Sequence, residues 1–333
     1  MPSHTVFAAG PAPLILLLLA LLLDAYIGDP PGLWRVAPHP VALMGRAVAG
    51  LERRLNRESR GEADRRVRGV LVVLFLTAAG AAVGWAISRT ARAVPFGWLA
   101  ELALVMTLVA QRSLYRHVGA VARALEEGGL AEGRRAVAHI VDRNPANLDR
   151  YGVARGAIES CAENLADGVI GPVFWYVLLG LPGLVASKMV NTLDSMIGHR
   201  SPRYRAFGAA AARLDDAVNF VPARLSGAIV ALAAALVPRA NPVAAARTML
   251  RDAGKHRSLN AGWPEAAMAG ALGLALAGPR RYGDAVVKDA WLGDGRARAT
   301  PGDIRRALYL FVVACLINIG LVAALAVAKH GLS

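Results

Sequence analysis

Apolar residues run along this chain in blocks too long and too even for a soluble fold. Stretches free of Asp, Glu, Lys and Arg cover 1–23, with a leucine-rich core from Leu14, then 69–88 and 307–328. A helix needs about 20 apolar residues to cross the hydrocarbon layer. The pattern therefore predicts spans near 6–23, 69–88 and 307–328, and a further one near 93–111 whose run is interrupted by Glu101. The stretch 168–187 is long enough but contains Gly168, Gly171, Pro172, Gly180, Pro182 and Gly183. Backbone broken at membrane depth survives only where protein or a watery cavity satisfies it. Together with the shorter runs 225–238 and 266–279, it is predicted as a re-entrant or buried apolar segment. Period-two alternation is scarce. The expected fold is all-α: a polytopic helical membrane protein, one membrane-embedded domain over 1–333, with about four to six embedded helices and further helical segments at the cytoplasmic face.

Arginine placement gives the expected sidedness. No Lys or Arg precedes the first span, nine arginines lie in 35–68, eight in 112–155, and six with Lys288 in 280–306. The positive-inside bias puts the N-terminus outside and these segments in the cytoplasm. An even number of crossings must then lie between 167 and 280, and zero keeps the polar motifs of that region on one side. Nothing basic precedes the leucine run and DAYIGDPP offers no small-residue cleavage site, so the first segment reads as a retained span rather than a signal peptide. The expected location is a bacterial inner membrane, multi-pass, with the functional site facing the cytoplasm.

Composition removes several classes. Apolar residues make up 55% of the chain and charged ones 19%, against about 25% charged in soluble domains. A disordered chain is excluded. Two cysteines, Cys161 and Cys315, build neither a disulfide framework nor a thiolate metal cluster. The net charge of +14, carried mostly by arginine, coexists with long uncharged runs. Its expected partner is anionic membrane lipid, not nucleic acid. No Walker-type phosphate loop, H-E-x-x-H or G-x-S-x-G occurs. Chemistry must come from carboxylates, amides and guanidiniums.

Five strings carry such groups. AIESCAENLADG (157–168) places Glu159, Glu163 and Asp167 at i, i+4 and i+8, one helical face, with Asn164 beside them. Such a stack is either a solvated amphipathic face or an acidic face bridged by a divalent metal or an arginine. KMVNTLDSMIGHR (188–200) aligns Lys188, Asn191, Asp194 and Ser195 at steps of three or four or one beyond. These groups are costly to bury unpaired and are either a structural polar network or a functional cluster beside the bilayer. RLDDAVNFVPAR (213–224) brackets Asp215, Asp216 and Asn219 with Arg213 and Arg224. The oxygens suit Mg²⁺ and the arginines suit phosphate or carboxylate. GDPPGLWRVAPHPV (28–41) sets Asp29 and His39 on proline-stiffened backbone. HRSLNAGWPEAAMAG (256–270) carries His256, Ser258 and Asn260 in a turn before a short apolar helix, with Pro264 in its first turn. Glu265 there is stabilised by the helix N-terminus, which weakens a catalytic reading for it.

In order and spacing, these strings resemble the CobD/CbiB family, the adenosylcobinamide-phosphate synthases of cobalamin biosynthesis. The likeness rests on DAYIGDP with HPV, ESCAENLADGVIGPVFW, KMVNTLDSMIGHR, RLDDAVNFVPARL and HRSLNAGWPEAAMAGALG, which run through almost the whole chain. Two positions depart from the family pattern: Leu259 stands where proline is expected, and His199 where tyrosine is commoner. The resemblance implies an amide-forming ligase that joins aminopropanol phosphate to the free carboxylate of adenosylcobyric acid, consuming ATP as co-substrate; Mg²⁺ is the metal expected from the oxygen ligands above. On that reading Glu163, Asp167, Asp215 and Asp216 are the metal candidates. Asp194 is the candidate base, with Glu159, Asn164 and Asn191 as further catalytic candidates. Lys188, Arg213, Arg224, Asn219, Asp29, His39, His256, Ser258 and Asn260 are the substrate and phosphate contacts. Contacts with other cobalamin-pathway enzymes are compatible with it. Two rival readings use the same residues: a Mg²⁺-dependent membrane transferase acting on phosphorylated or prenyl diphosphate substrates, and a non-enzymatic corrinoid transporter or scaffold.

Overall fold

The computed structural model describes residues 10–28, 38–141, 144–282, 285–287 and 289–331. In chain order the helices are α1 (Pro13–Tyr26), α2 (Pro40–Leu55), α3 (Glu62–Ala93), α4 (Trp98–Leu108), α5 (Gln111–Glu127), α6 (Gly129–Val137), α7 (Arg150–Leu165), α8 (Gly171–Ile197), α9 (Ala209–Val218), α10 (Phe220–Ala234), α11 (Pro242–Asp252), α12 (Gly262–Leu272) and α13 (Pro301–Gly331). A π turn, Ala166–Ile170, joins α7 to α8. Four short strands interrupt the helices between α12 and α13: β1 (Leu276–Ala277), β2 (Arg280–Tyr282), β3 (Ala285–Val287) and β4 (Trp291–Leu292). They pair antiparallel as β1 with β4 and β2 with β3. The protein is an all-α membrane protein. Among the described residues, Glu62–Ala93, Arg150–Ile197 and Pro301–Lys329 are long and apolar enough to cross a bilayer, and α9 with α10 form a further such pair bent by 48°.

Several helices end where the backbone chemistry requires. The apolar run 93–111 is helical only over Trp98–Leu108, 11 residues, about 16 Å at 1.5 Å per residue and short of the bilayer core. Pro95 disfavours helical geometry at the residue before it, and Val94 is extended accordingly. The run 266–279 is helical only to Leu272, after which the chain enters β1. Within α8 the helix breaks at Gly180 (φ 67°, ψ −156°), two residues before Pro182. Part of the first predicted span, 6–9, lies outside the described residues, and the helix itself runs over Pro13–Tyr26.

The chain forms two compact units, each assembled from separate stretches: Met1–Ala110, Gly171–Asn219 and Val322–Ser333 in the first, Gln111–Ile170 and Phe220–Leu321 in the second. In the first unit α3 lies along α8. The approach depends on small residues: a Cβ at Gly84 would stand 2.9 Å from the Leu181 carbonyl oxygen and from Pro182 Cα. Small residues at helix contacts are how membrane helices gain close packing when lipid is as apolar as the side chains. Tyr176 on α8 donates to Glu101 Oε1 on α4 at 3.0 Å, both buried, so the carboxylate inside the apolar run is partnered.

A buried polar network fixes the 198–208 connection in the same unit. Arg203 donates to both oxygens of Glu52 at 3.0 and 3.1 Å. Asn56 Nδ2 donates to Glu52 Oε1 at 2.9 Å and to the Arg203 carbonyl at 3.1 Å. Arg65 in turn donates to Asn56 Oδ1 at 2.7 Å and to the Arg203 carbonyl. Glu52, Asn56 and Arg65 are all buried. This network ties the loop between α8 and α9 to α2 and α3.

In the second unit α12 is buried on every side, packed by α10 and α11. Asn241 caps α11 through Ala244 N–H at 2.9 Å, and Asp149 caps α7 through Gly152 N–H at 2.6 Å; such caps satisfy donors the helix cannot. Asp252, 1% exposed, closes α11: it accepts from Arg251 (2.7 and 2.6 Å), from Lys255 (2.6 Å) and from Gly293 N–H (2.8 Å). The Arg251 guanidinium, with Lys255 and the Gly293 amide, holds its carboxyl well below the usual carboxylate range.

Candidate functional site

The first unit carries one group of candidate residues on α8 and α9, which pack against each other. Lys188 is buried and Asn191 and Asp194 are half-buried near the C-terminal end of α8. Thr192 Oγ1 donates to the Lys188 carbonyl at 2.7 Å, tightening this turn. A side chain at Gly198 would collide with Asp194 Oδ1, so the carboxylate folds over the end of its own helix into space that only glycine leaves. A helix C-terminus disfavours negative charge. On α9, Asp215 Oδ1 accepts from Asn219 Nδ2 at 2.9 Å and Asp216 is half-buried. Arg200 interacts electrostatically with Asp216. Arg213 is exposed. Trp175 Nε1 donates to the Val218 carbonyl at 3.2 Å and holds the end of α9 against α8.

His39 lies in this unit and serves its own helix. Its Nδ1 accepts from Val41 N–H at 3.2 Å, making it the N-cap of α2. Asp29 lies outside the described residues.

The second unit carries the other group. The even acidic face expected of 157–168 is divided. Glu159 is buried and accepts Ala277 N–H at 2.9 Å, whereas Glu163 and Asn164 are exposed. Asp167, half-buried, sits inside the π turn. A π turn takes one more residue per hydrogen-bonded loop than an α-helix, so i, i+4, i+8 no longer stacks through it. Asn164 donates to the Ser160 carbonyl at 2.9 Å and to its hydroxyl at 3.2 Å, and Ser160 donates to the Ile140 carbonyl at 2.7 Å.

Helix α10 packs against both the π turn and α12. Its Arg224 guanidinium lies 3.4 Å over the Phe220 ring and 4.5 Å from the Trp263 ring centroid, and donates to the Phe220 carbonyl at 2.6 Å. Aromatic stacking holds a planar fork in place, the arrangement suited to phosphate or carboxylate.

The turn before α12 is built by its own polar residues. His256 Nδ1 accepts from Ser258 N–H at 3.1 Å, and Ser258 Oγ accepts from Asn260 N–H at 3.2 Å and Ala261 N–H at 3.1 Å. Asn260 is buried, and His256 Nε2 lies 3.7 Å from the buried Glu265 carboxylate. Ser258 thus has a local role as a turn cap.

Among the described residues no three His, Cys, Asp or Glu side chains gather as a metal-binding group. Asp215 and Asp216 are two adjacent carboxylates on α9, fewer than a closed site needs, and Mg²⁺ commonly completes such a set with water and phosphate oxygens. Sequence reading missed the network of Glu52, Asn56, Arg65 and Arg203 that sets the loop joining the two polar helices of the first unit. Glu52, Asn56 and Arg65 lie in a string that reads only as a basic loop, Arg203 comes from a distant segment, and the one usable signal was an acid and an amide embedded among arginines.

The comparisons bear on the whole chain. The family described as CobD/Cbib protein matches residues 17–311. A Cobalamin biosynthesis protein CobD from Sinorhizobium sp is 49% identical over 317 residues, covering 94% of this chain and 98% of that protein. The protein of that name from Brucella suis biovar 1 is 50% identical over 314 residues, 93% of this chain and 96% of its own. That from Rhodobacter capsulatus is 45% identical over 316 residues, 93% and 97%. No solved structure matches. A family match that takes in all five polar strings, with relatives near half identity over more than nine-tenths of the chain, leaves one conclusion: this chain belongs to the CobD/Cbib protein family.

Proposed function

We propose that this membrane protein works in cobalamin biosynthesis on a corrinoid, as an amide-forming ligase joining aminopropanol phosphate to the free carboxylate of adenosylcobyric acid. The observation that carries the reading is the family match over 17–311, which contains every described polar cluster above. The chemistry asks for two things. The carboxylate oxygen must take a phosphoryl group from ATP, releasing ADP; the amine must then attack the acyl carbon, expelling inorganic phosphate and giving up a proton. Phosphoryl charge calls for cations fixed in advance. Lys188, Arg213 and the stacked Arg224 are the candidates among the residues described. Asp194 is the candidate acceptor for the amine proton, and Asn191, Asn219 and Asn164 are amides able to orient the amine or corrin side chains. Mg²⁺, held by Asp215 and Asp216 with phosphate oxygens, would supply further neutralisation of that charge.

Glu159 is assigned a positioning role instead, because its carboxylate serves the Ala277 amide. Ser258 and His39 are assigned to the turn and the helix cap they complete. The site is proposed to face the cytoplasm of the inner membrane, in keeping with the arginine distribution.

A coupled assay in membranes tests the reaction. Adenosylcobyric acid, aminopropanol phosphate, ATP and Mg²⁺ go in, and amidated corrinoid is sought by mass. Asp194→Asn should abolish product while leaving expression intact. No product from the wild-type protein would reject the ligase reading, and full activity of the variant would remove Asp194 from the chemistry. Cysteine accessibility over 200–212 tests the side: labelling from the periplasm alone would overturn the cytoplasmic assignment.

A further inference from the structure

Away from the polar motifs, the second unit has a groove of about 840 Å³ between α5 and α13, within the usual range of roughly 300–1,000 Å³ for ligand sites. Its two walls have opposite characters. The α13 wall is apolar: Leu308, Val312 and Leu316 line it, and the last two are 40% and 59% exposed. Because α13 is long and apolar enough to cross a bilayer, its exposed apolar side chains are suited to contact with lipid tails. The α5 wall contributes Arg116 and Arg123, two helical turns apart on one face, and Arg305 at the start of α13 adds a third guanidinium. Tyr115 and Tyr309 line the same groove, and aromatic rings with one polar end favour the membrane–water boundary. Arg305, Tyr309, Val312 and Leu316 follow at i, i+4, i+7 and i+11, so a single stripe runs from charge through an aromatic to hydrocarbon.

We infer that this groove binds one anionic glycerophospholipid, its phosphate held by Arg116, Arg123 and Arg305 and an acyl chain laid along Leu308, Val312 and Leu316. Charge complementarity decides the class. Any acyl chain fills an apolar groove, but guanidiniums lining its α5 wall and the start of α13 distinguish an anionic lipid from a zwitterionic one. Glu126 pairs with Arg305, which aims that guanidinium; among the described residues Arg116 and Arg123 have no ion pair. Between the walls, a Cβ at Gly119 would stand 3.6 Å from the Leu308 side chain. The inference stands on these residues and not on the proposed reaction, whose candidate residues lie elsewhere.

Native mass spectrometry of the full chain tests it, using protein exchanged into micelles with equal phosphatidylglycerol and phosphatidylcholine. One retained phosphatidylglycerol per chain is expected. Each of Arg116→Gln and Arg123→Gln should lower that preference about fivefold, the effect of one basic residue near a charged membrane surface. Arg53→Gln, which removes the same charge from α2, should change nothing. Leu316→Trp should block retention while leaving the thermal midpoint within the range of the arginine variants. Equal retention of the two lipids, or loss with Arg53→Gln as large as with Arg123→Gln, would overturn the inference. Displacement of the lipid by millimolar inorganic phosphate would assign the groove to a free anion instead, and a dimer replacing the lipid adduct would assign it to a second copy of the chain. Either result also rejects the proposal.

Discussion

Glu159 separates a structural from a chemical use of the same carboxylate. Its Oε1 accepts the Ala277 amide at 2.9 Å in a buried setting. Ala277 is a non-glycine residue at φ 57°, a conformation costing about 1–2 kcal/mol, and it pairs with Trp291 in the β1–β4 ladder. The hydrogen bond therefore holds a strained strand end against α7. Glu159→Ala leaves a buried amide without an acceptor, a loss of about 1–3 kcal/mol. Glu159→Gln keeps a carbonyl oxygen in reach and gives up only the charged half of the interaction, about 1 kcal/mol. Thermal unfolding of the purified chain in detergent should rank wild type above the glutamine variant and that above the alanine variant. At a temperature where all three are folded, the glutamine variant should keep most of its corrinoid-amidating activity. A glutamine variant as stable as wild type yet inactive would refute this reasoning and return the carboxylate to the chemistry.

The close approach at Gly84 makes Gly84→Ala an overpacking change, expected to cost about 1–3 kcal/mol, whereas Gly50→Ala, with open space around its Cβ, should be neutral or stabilising by up to about 1 kcal/mol; equal denaturation midpoints for the two would contradict the packing. Asp252 has a carboxyl held below its ordinary value by Arg251, Lys255 and the Gly293 amide. A depressed pKa contributes stability in full above the unfolded value of about 3.9 and loses it as pH falls toward the folded one. The stability gap between wild type and Asp252→Asn should hold constant above about pH 5 and shrink below about pH 4; a gap unchanged at pH 3 would be inconsistent with that linkage. Arg203→Ala removes the donor that joins the 198–208 loop to Glu52. If that loop positions α8 and α9, turnover should fall more than expression does, and Arg203→Lys, which cannot reproduce the paired fork, should rescue only partly; full rescue by lysine would show that charge alone suffices.

The sequence alone determined what repeats or accumulates along the chain. Uncharged runs of membrane length identify the apolar helices, because the bilayer imposes one thickness on all of them, and α3 and α13 lie over 69–88 and 307–328. The glycines and prolines of 168–187 marked where regular helix would fail: Gly180 leaves helical geometry two residues before Pro182. The five polar strings also carried the family, since residue identity and order survive without coordinates. Tertiary structure decided what each carboxylate and amide does. Spacing put Glu159, Glu163 and Asp167 on one face, but a strand from 118 residues away claimed the first and a π turn re-aimed the third. Likewise Glu52 and Asn56 read as members of a basic loop until Arg203 arrived from a distant segment. Hydrophobic burial is a property of a residue and its neighbours in sequence, so a pattern can reveal it. A hydrogen bond depends on which distant donor the fold delivers, and no local spacing contains that.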